Sequence, residues 1–306
     1  MLSLARLRVL FEVVNRGSFS AAADALDYTQ SAVSQAIARL EAETGASLVV
    51  RDRRRIRPTA AGATLLGHAD AIFAQVQAAE DDLAAVLGVR GGHLRVASFP
   101  SAGATLMPQA IAGFRALHPN VRLSLSEGEP EEITPRLRAG EFDLAVMFGF
   151  IGDESRFAGL SVTLLFNDPL YVALPVDHVM ARKHALTLTD LRGEDWVQTS
   201  AASPCARHVV EQCRAAGFQP RVSFESDDYQ TVQGLVVAGV GVALIPRLAL
   251  TRVHPGIVVR SLEPVSPVRN VVVATSPAPA VAPAAQAMLE ILRSRAREHA
   301  EGRVGR

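Results

Sequence analysis

The sequence has few cysteines and almost no lysine. Cys205 and Cys213 are the only two cysteines among 306 residues, too few for a disulfide framework and in no metal-ligand spacing. Of the 31 basic residues, all but Lys183 are arginines. Basic and acidic residues balance to a formal net charge of +0, so no overall field draws the chain to nucleic acid or to a membrane. Any affinity for DNA must come from a local concentration of charge.

The sequence also lacks an apolar run long enough to cross a bilayer. Its most apolar region, Leu235–Pro246, is interrupted by two glycines. The apolar stretch around Arg6 and Arg8 is broken by Glu12 and Asn15, and no small-residue cleavage site follows it, which argues against a signal peptide. We therefore expect a cytoplasmic protein with no membrane partner.

Apolar residues, by contrast, are abundant. They make up 49% of the chain against 20% charged residues, a balance typical of globular domains. A length of 306 residues predicts two or three domains. Helical periodicity gives way to alternating strands and helices at about His93. We expect domains over residues 1–59, 60–92 and 93–306.

Short helices are predicted for the first sixty residues. Gly17 and Ser18 end one helix and begin a second. After a tight turn, Thr29 can cap a third helix, expected from about Gln30 to Thr44 with Gly45 as its C-cap. Two helices joined by a three-residue turn are typical of a helix-turn-helix unit. An ordinary three-helix bundle with a solvated face fits the same pattern.

The outer face of the third predicted helix carries small polar side chains. Glutamine presents a donor and an acceptor that can pair with an adenine edge, and serine can pair with several bases. Small side chains also let a helix lie deep in the major groove. The side chains expected to face base edges are Gln30, Ser31, Ser34 and Gln35.

An arginine-rich segment follows this helix. After a short predicted strand, Leu48-Val49-Val50, residues 51–57 contain five arginines and one aspartate. A charge run is usually a solvated face. A β-wing beside a helix-turn-helix, however, lies along the phosphate backbone, and arginine can enter a narrow minor groove. We therefore expect Arg51, Arg53 and Arg54 to contact the DNA backbone or the minor groove.

A long helix is expected from about Ala60 to Leu87, capped by Thr59. Apolar residues recur along it as a heptad seam: Leu65, Ala69, Ile72, Val76, Ala79, Leu83 and Val86. Such a seam is typical of a helix that pairs with a copy of itself. The alternative is a helix that lies on its own domain. Gly88, Gly91 and Gly92 then indicate a flexible linker.

Strands and helices alternate after residue 93, which predicts parallel-rich sheets flanked by helices. About 210 residues are generous for one small α/β unit and favour two lobes. Strands are expected at 93–99, 121–126, 143–148, 170–174, 196–199, 222–225, 242–245, 258–262 and 270–275, with a final helix from about Pro283 to Arg297.

Taken together, these residues resemble the LysR-type family of transcriptional regulators over essentially the whole chain. The most specific match is Gly17-Ser18-Phe19-Ser20, Ala22-Ala23, Leu26, Gln30-Ser31-Ala32-Val33-Ser34-Gln35, Ile37, Leu40-Glu41, Gly45, Arg51, Pro58-Thr59 and Gly62. A looser match includes Leu137, Gly140, Asp143-Leu144, Asp168-Pro169-Leu170, Val237-Ala238-Gly239, Gly241 and Ile245-Pro246.

The resemblance implies an α/β fold: a winged helix-turn-helix and linker helix, then two Rossmann-like lobes of the periplasmic-binding-protein type. It places lobe 1 at about 93–166 and 267–306 and lobe 2 at about 167–266, with a hinge near 165–169 and 264–269. A small-molecule effector would bind between the lobes. The implied partners are double-stranded DNA, a second copy in a homodimer or homotetramer, and RNA polymerase; no cofactor or metal is implied.

The resemblance also implies two sets of site residues. The DNA-binding set is Ser18, Thr29, Gln30, Ser31, Ser34, Gln35, Arg51, Arg53, Arg54 and Pro58. The effector set lies near strand ends, where open α/β sheets bind ligands, and comprises Ser98, Ser101, Phe148, Thr199, Ser200 and Ser226. Helix capping explains each serine equally well. The effector set contains no arginine, which leaves an anionic effector unsupported.

An enzymatic function has little support in the sequence. It contains no Gly-x-Ser-x-Gly elbow, P-loop or His-Glu-x-x-His motif. Gly239-Val240-Gly241 resembles half of a dinucleotide fingerprint, but it follows a predicted helix and precedes a predicted strand, the reverse of the required order.

Redox sensing is the alternative that stays open. Peroxide-sensing members of the family carry a cysteine pair in the region of Cys205 and Cys213, and Cys205 is expected at a helix N-terminus, where the dipole favours a thiolate. Eight residues along a continuous helix span about 12 Å, too far for a disulfide without remodelling. Two inert, partly buried thiols fit the sequence as well.

Overall fold

The computed structural model describes residues 2–52, 55–86, 92–276 and 282–301. Contacts divide the chain into two units, Met1–Glu80 and Asp81–Arg306. Arg53 and Arg54 of the predicted wing, and Leu87, Gly88 and Gly91 of the predicted linker, lie outside the described residues.

Three helices open the first unit: α1 (Leu4–Arg16), α2 (Phe19–Ala25) and α3 (Gln30–Thr44). Local signals set their ends. Gly17 and Gly45 adopt left-handed conformations, with φ of 66° and 68°, directly after α1 and α3. The Ser18 and Thr29 hydroxyls accept backbone N–H groups in the first turns of α2 and α3. The predicted bounds of α3 are confirmed at both ends.

The apolar faces of these helices form the core of the first unit. Its fully buried members include Leu7, Leu10, Val13, Ala22, Val33 and Leu40. Because α2 and α3 share this core and are joined by a short turn, the outer face of α3 is left toward solvent.

A two-stranded wing follows α3. Strands β1 (Val49–Asp52) and β2 (Arg55–Pro58) pair antiparallel. The Glu41 carboxylate on α3 accepts the Leu48 N–H at 2.7 Å, and the Ile56 N–H donates to the Gly17 carbonyl at 3.0 Å. These two bonds hold the wing against the ends of α1 and α3.

Helix α4 (Ala60–Val86) carries the predicted heptad seam. The first part of the seam packs on its own unit: Ala69 is fully buried, and Leu65 and Ile72 contact the core formed by α1, α2 and α3. Farther along, Val76 and Leu83 are exposed. The sequence was compatible with pairing to a second copy or with packing on the helix's own domain. The first half of α4 packs on its own domain.

The second unit contains two lobes. In chain order its elements are β3 (His93–Ser98), α5 (Pro100–Leu117), β4 (Arg122–Glu127), α6 (Pro130–Arg138), β5 (Leu144–Gly149), β6 (Ser161–Pro175), β7 (Ala185–Leu186), β8 (Asp195–Gln198), α7 (Pro204–Ala215), β9 (Arg221–Glu225), α8 (Tyr229–Val237), β10 (Ala243–Pro246), β11 (Ile257–Leu262), β12 (Val268–Thr275) and α9 (Pro283–Glu301). Short 3-10 helices span Glu154–Phe157, Val179–Arg182, Leu188–Leu191 and Arg247–Leu250.

The lobe that begins at β3 is called lobe I, and its strand order is β4-β3-β5-β12-β6. Strands β3, β4 and β5 are parallel, as expected for strand–helix alternation, and α9 packs beside α5. Strand β12 is antiparallel to both β5 and β6. The prediction of parallel-rich sheets is therefore right for the first three strands of lobe I and wrong for β6, which leaves this lobe, and for β12, which returns to it.

One strand runs through both lobes. Up to Pro169, β6 pairs with β12; from Leu170 onward it pairs with β10 and β11. The prediction found only residues 170–174 of this strand and missed its first half, in which exposed, half-buried and buried residues are mixed. The change of partners at Pro169 lies at the edge of the predicted hinge.

The second lobe, lobe II, is built around β10 and β11. Strand β7 joins β11 in parallel, and β8 pairs in parallel with β9. Trp196 of β8 bridges to Val242, the residue directly before β10, and this bridge connects the two parts of the lobe. Helices α7 and α8 follow β8 and β9, so their N-termini lie at the carboxyl ends of these strands.

Gly62 generates a test of the contact between the wing and α4. A β-carbon at Gly62 would lie 2.0 Å from the Leu48 carbonyl oxygen, whereas one at Gly67 on the same helix would meet nothing within 4 Å. We predict that Gly62→Ala lowers the free energy of unfolding by about 1–3 kcal/mol through this clash.

Gly67→Ala is the matched control and should raise the free energy of unfolding by about 0.5–1 kcal/mol through helix propensity. Urea titration followed by far-UV circular dichroism measures both. Equal effects of the two substitutions would contradict the close approach.

Candidate functional site

The outward face of α3 presents the predicted polar side chains. Gln30, Ser31 and Gln35 are exposed and Ser34 is half-buried, whereas Val33 on the opposite face is fully buried. Arg39, one turn after Gln35, is also exposed. Arg39 was not predicted as a site residue, although its spacing of four residues from Gln35 places both on one helix face. The face therefore offers amide and hydroxyl groups followed by a cation.

Two predicted DNA-binding residues also have structural roles. The Ser18 hydroxyl accepts the Ala21 N–H at 3.4 Å, and the Thr29 hydroxyl accepts the Ala32 N–H at 3.2 Å. Thr29 Oγ1 also lies 2.9 Å from Ser31 Oγ at the exposed start of α3. The Ser18 and Thr29 caps thus fix where α2 and α3 begin.

The wing supplies the remaining predicted positions. Arg51 lies on β1 opposite Ile56, and its side chain is outside the described part of the structure. Pro58 ends β2 and is half-buried. Arg57 on β2 is exposed and is a described cation of the wing. The described backbone therefore places this arginine-rich hairpin in the same unit as α3.

A cavity of about 440 Å³ lies between the two lobes. Lobe I contributes the start of α5 and the end of β4; lobe II contributes the start of α8 and the 3-10 helix after β10. We call it the inter-lobe cavity. It is lined by Pro100, Ser101, Ala104, Thr105, Glu127, Asp227, Asp228, Tyr229, Gln230, Leu248, Ala249 and Thr251.

A buried ion pair joins the two crossover strands beside this cavity. Arg269 on β12 and Asp168 on β6 are register partners, and Arg269 Nε lies 2.8 Å from Asp168 Oδ2. Each side chain is only 1% exposed. The other carboxylate oxygen accepts the Leu248 N–H at 2.9 Å, and Arg269 Nη2 donates to Ser101 Oγ at 2.8 Å. The pair thereby connects β12, β6, α5 and a cavity-lining segment of lobe II.

Two aromatic rings also contact the guanidinium group of Arg269. Its guanidinium carbon lies 4.9 Å from the ring centre of Phe99 and 4.7 Å from that of Phe148. Burial is the largest single effect and disfavours the charged form, but the Asp168 carboxylate, with Tyr229 and Cys205, more than offsets it, and the pKa of Arg269 is raised. The guanidinium is therefore charged, and the contacts that stabilise it are internal to the protein.

The six predicted effector residues separate into three groups. Ser101 lines the inter-lobe cavity. Ser98 and Phe148 are buried and are not among its lining residues; the Ser98 hydroxyl donates to the Phe99 carbonyl at 3.2 Å. Thr199 is also buried outside the lining.

Ser200 and Ser226 orient the acidic residues of the cavity. The Ser200 N–H donates to Asp227 Oδ1 at 2.8 Å, and the Ser226 hydroxyl accepts the Asp228 N–H at 3.3 Å. Sequence reasoning named these two serines and missed the neighbouring Asp227 and Asp228, which line the cavity. A pair of aspartates before a helix was the signal available at Asp227-Asp228.

A carboxyl group near the cavity has an unusual pKa. Burial raises the pKa of Glu129 to about 7, and the negative charge of Asp227 adds to the effect. Glu131 and Glu132 also raise this pKa, whereas Arg269 lowers it. Glu129 immediately precedes α6 in lobe I and Asp227 belongs to lobe II, so this repulsion acts between the lobes.

The two cysteines are buried and lie on α7. Cys205 is 3% exposed, accepts the Tyr229 hydroxyl at 3.6 Å and has its pKa raised by burial. Cys213 is fully buried, and burial raises its pKa to about 12. Cys205 is near a helix N-terminus, as expected, but burial raises its pKa in spite of the lowering effects of Arg269 and Tyr229, and both environments disfavour the reactive thiolate.

The described residues hold no group of three or more His, Cys, Asp or Glu side chains suited to a metal ion. None of the helices described is both long and apolar enough to span a membrane.

Two family models match the chain. One, described as a LysR substrate binding domain, matches residues 88–297; the other, described as a bacterial regulatory helix-turn-helix protein of the lysR family, matches residues 4–63. One match lies in each of the two units.

Similar proteins agree with these matches. The probable HTH-type transcriptional regulator LrrA of Synechococcus elongatus is 33% identical over 299 residues, 97% of this chain and 98% of that protein. A probable hydrogen peroxide-inducible genes activator of Mycobacterium avium is 30% identical over 253 residues, 81% of this chain and 79% of that protein. Full-length CbnR, solved in complex with its target DNA, has a TM-score of 0.74 at 21% identity over 96% of this chain and 100% of that chain. At this identity, the likeness to CbnR shows the fold.

The Asp168–Arg269 pair generates a stability prediction. Arg269→Ala leaves the Asp168 carboxylate buried without its cation, and we expect a loss of about 3–5 kcal/mol in the free energy of unfolding. The only tryptophan, Trp196, is buried in lobe II, so its fluorescence in a urea titration reports the change.

Lys183→Ala is the control in the same unit. Lys183 Nζ lies 2.7 Å from Asp190, but these side chains are 51% and 26% exposed, so its loss should cost about 0–1 kcal/mol. Similar losses in the two variants would argue that the Asp168–Arg269 pair does not hold the crossover strands together.

Burial of the thiols generates a reactivity prediction. We expect iodoacetamide to modify Cys205 and Cys213 about 100-fold or more slowly in the folded protein than in the unfolded chain, because little thiolate forms and access is blocked. Mass spectrometry of quenched samples measures both rates. Gln219→Cys places a thiol at an exposed loop position and controls for reagent activity. Rapid modification of Cys205 in the folded protein would contradict this prediction and would support the redox hypothesis.

Proposed function

The chain belongs to the LysR family of DNA-binding transcriptional regulators, and from this premise we propose that α3 enters the major groove while the wing follows the phosphate backbone. The observation that carries the proposal is the exposed polar face of α3 in one unit with an arginine-rich hairpin. Base edges would be read by Gln30, Ser31, Ser34 and Gln35, whose amides and hydroxyls both donate and accept hydrogen bonds.

The arginines of the wing would supply the affinity that does not depend on sequence. We assign this role to Arg51, Arg53 and Arg54, and add the exposed Arg57 and, on α3, Arg39. Because the whole chain has a net charge of +0, these local cations must carry the attraction to phosphate. Ser18 and Thr29 would contribute mainly by positioning helices, and Pro58 by ending β2.

The inter-lobe cavity is the effector site that we propose. Its lining comes from both lobes, so a bound molecule contacts both and favours one arrangement of the lobes over another. Only two described strands, β6 and β12, pair across the region where the lobes meet, and these carry Asp168 and Arg269. The ion pair holds these strands together at the pivot.

We propose that the chain works as a homodimer or homotetramer. The exposed positions Val76 and Leu83 continue the heptad seam beyond the part that packs on its own unit. Two copies would place two α3 helices on a dyad-symmetric site. The functional divisions follow the predicted ranges, 1–59 for DNA, 60–92 for assembly and 93–306 for the effector.

The setting of this function is the cytoplasm, where the DNA and RNA polymerase are found. We propose regulation without catalysis, in keeping with relatives described as transcriptional regulators. Peroxide sensing, suggested by the name of the Mycobacterium avium relative, is not supported by two buried thiols with raised pKa values.

Footprinting on the fragment upstream of the gene tests the DNA-binding proposal. We expect a dyad-symmetric protected site, and Gln35→Ala should weaken specific binding about 10- to 100-fold while leaving binding to unrelated DNA unchanged. Gln286→Ala, an exposed glutamine on α9, is the control and should bind like the parent.

The combined Arg51→Ala, Arg53→Ala and Arg54→Ala variant separates the roles of α3 and the wing. It should weaken specific and non-specific binding alike and reduce the slope of log affinity against log salt by up to about 2.7, since each phosphate contact contributes about 0.9. Full retention of affinity and slope in this variant would exclude the wing from the interface.

A further inference from the structure

The charged residues lining the inter-lobe cavity are all acidic. Glu127 comes from lobe I, and Asp227 and Asp228 come from lobe II. The described lining contains no lysine, arginine or histidine. The rest of the lining is apolar or carries neutral polar groups, including Tyr229, Leu248 and Ala249. The cavity thus combines an apolar surface with negative charge contributed from both sides.

Helix N-termini commonly bind anions, but the start of α8 is already occupied by a side chain. The Asp228 carboxylate accepts the Gln230 N–H at 3.0 Å and the Thr231 N–H at 3.3 Å, and the Thr231 hydroxyl donates to it at 2.8 Å. These bonds lower the pKa of Asp228, the one from the Gln230 backbone most of all, so it is ionised at neutral pH. Asp228 therefore takes the place of an external anion.

The start of α5 is covered in a similar way. A β-carbon built on Gly103, in the first turn of α5, would lie 3.0 Å from Glu127 Oε2. The carboxylate of Glu127 therefore rests against this turn, where an incoming anion would otherwise use the helix dipole. At both helix N-termini that face the cavity, a carboxylate of the protein itself offsets the positive end of the helix dipole.

Arg269, a buried cation next to the cavity, already has partners within the protein. Arg269 gives its side-chain hydrogen bonds to Asp168 and Ser101 and lies over two aromatic rings. Arg269 is only 1% exposed and is not among the lining residues, so a carboxylate ligand in the cavity does not meet this cation directly. An anion in the cavity would thus face three carboxylates without a free positive charge in the described lining.

We propose that the inter-lobe cavity binds a small organic cation, with an amine-bearing group directed to Asp227 and Asp228 and an apolar body against Leu248 and Ala249. This inference rests on the proposed effector site and names its ligand class. The cavity, formed by two lobes, defines the site, and its carboxylates define the charge of the ligand. A volume of about 440 Å³ accommodates an amine with a ring or a chain of several carbons.

Three probes of matched shape test the charge preference: 4-phenylbutylamine, 4-phenylbutanol and 4-phenylbutyrate. Binding to the full chain at neutral pH is measured by ligand-observed NMR, because probes of this size are expected to bind in the millimolar range. We expect the amine to bind about tenfold or more tightly than the carboxylate, with the alcohol between them.

The variant Glu127→Gln/Asp227→Asn/Asp228→Asn removes the cavity charges while keeping similar shapes, and asparagine retains the ability to cap α8. It should weaken amine binding about tenfold or more. Glu141→Gln/Glu290→Gln/Glu298→Gln removes the same number of charges outside the lining and should bind the amine like the parent. Asp227→Asn alone is the milder substitution if the triple variant unfolds.

Tighter binding of the carboxylate, equal binding by the two triple variants, or no amine binding overturns the inference. DNA footprinting on the same preparations keeps this outcome distinct from failure of the proposed function. A chain that protects its specific site but prefers the carboxylate remains a DNA-binding regulator with a different class of effector. Loss of DNA protection in the parent protein would instead overturn the proposed function.

Discussion

The buried pair of Asp168 and Arg269 is the interaction on which the two-lobed unit depends. A charge removed from water is costly, and this cost is offset only while both partners and their hydrogen bonds stay in place. Asp168 and Arg269 face each other on the two strands that cross between the lobes, and their remaining bonds reach Ser101 and Leu248. One ionic contact thus constrains the crossover, the start of α5 and a wall of the inter-lobe cavity at the same time.

Local features of the fold were predictable from sequence, and features that join distant segments were not. Caps such as Thr29 and Gly45 act within a few residues, so the bounds of α3 could be predicted. Arg269 and Asp168 are 101 residues apart, and no local pattern pairs them. The local signal of Asp227-Asp228 could have been read, but their grouping with Glu127 could not, because it forms only where β4 of lobe I meets the start of α8 of lobe II.

Helix α4 shows how one apolar seam can serve two purposes. Its heptad pattern is continuous in sequence, yet Leu65, Ala69 and Ile72 pack on the helix-turn-helix core, and Val76 and Leu83 are exposed. A periodic pattern reports which face of a helix is apolar and leaves open what covers that face. Burial decides this question, because the residues already covered by their own unit are not free to pair with a second copy.

The uninterrupted course of β6 through both lobes has an evolutionary consequence. Lobe II lies between two segments of lobe I in the chain, and β6 belongs to both sheets. A single recombination event therefore cannot exchange one lobe for that of a relative. Two breakpoints are needed, and they must keep Asp168 and Arg269 compatible across the junctions. Ligand preference in such a chain is expected to diverge by substitutions at the cavity wall rather than by shuffling of lobes.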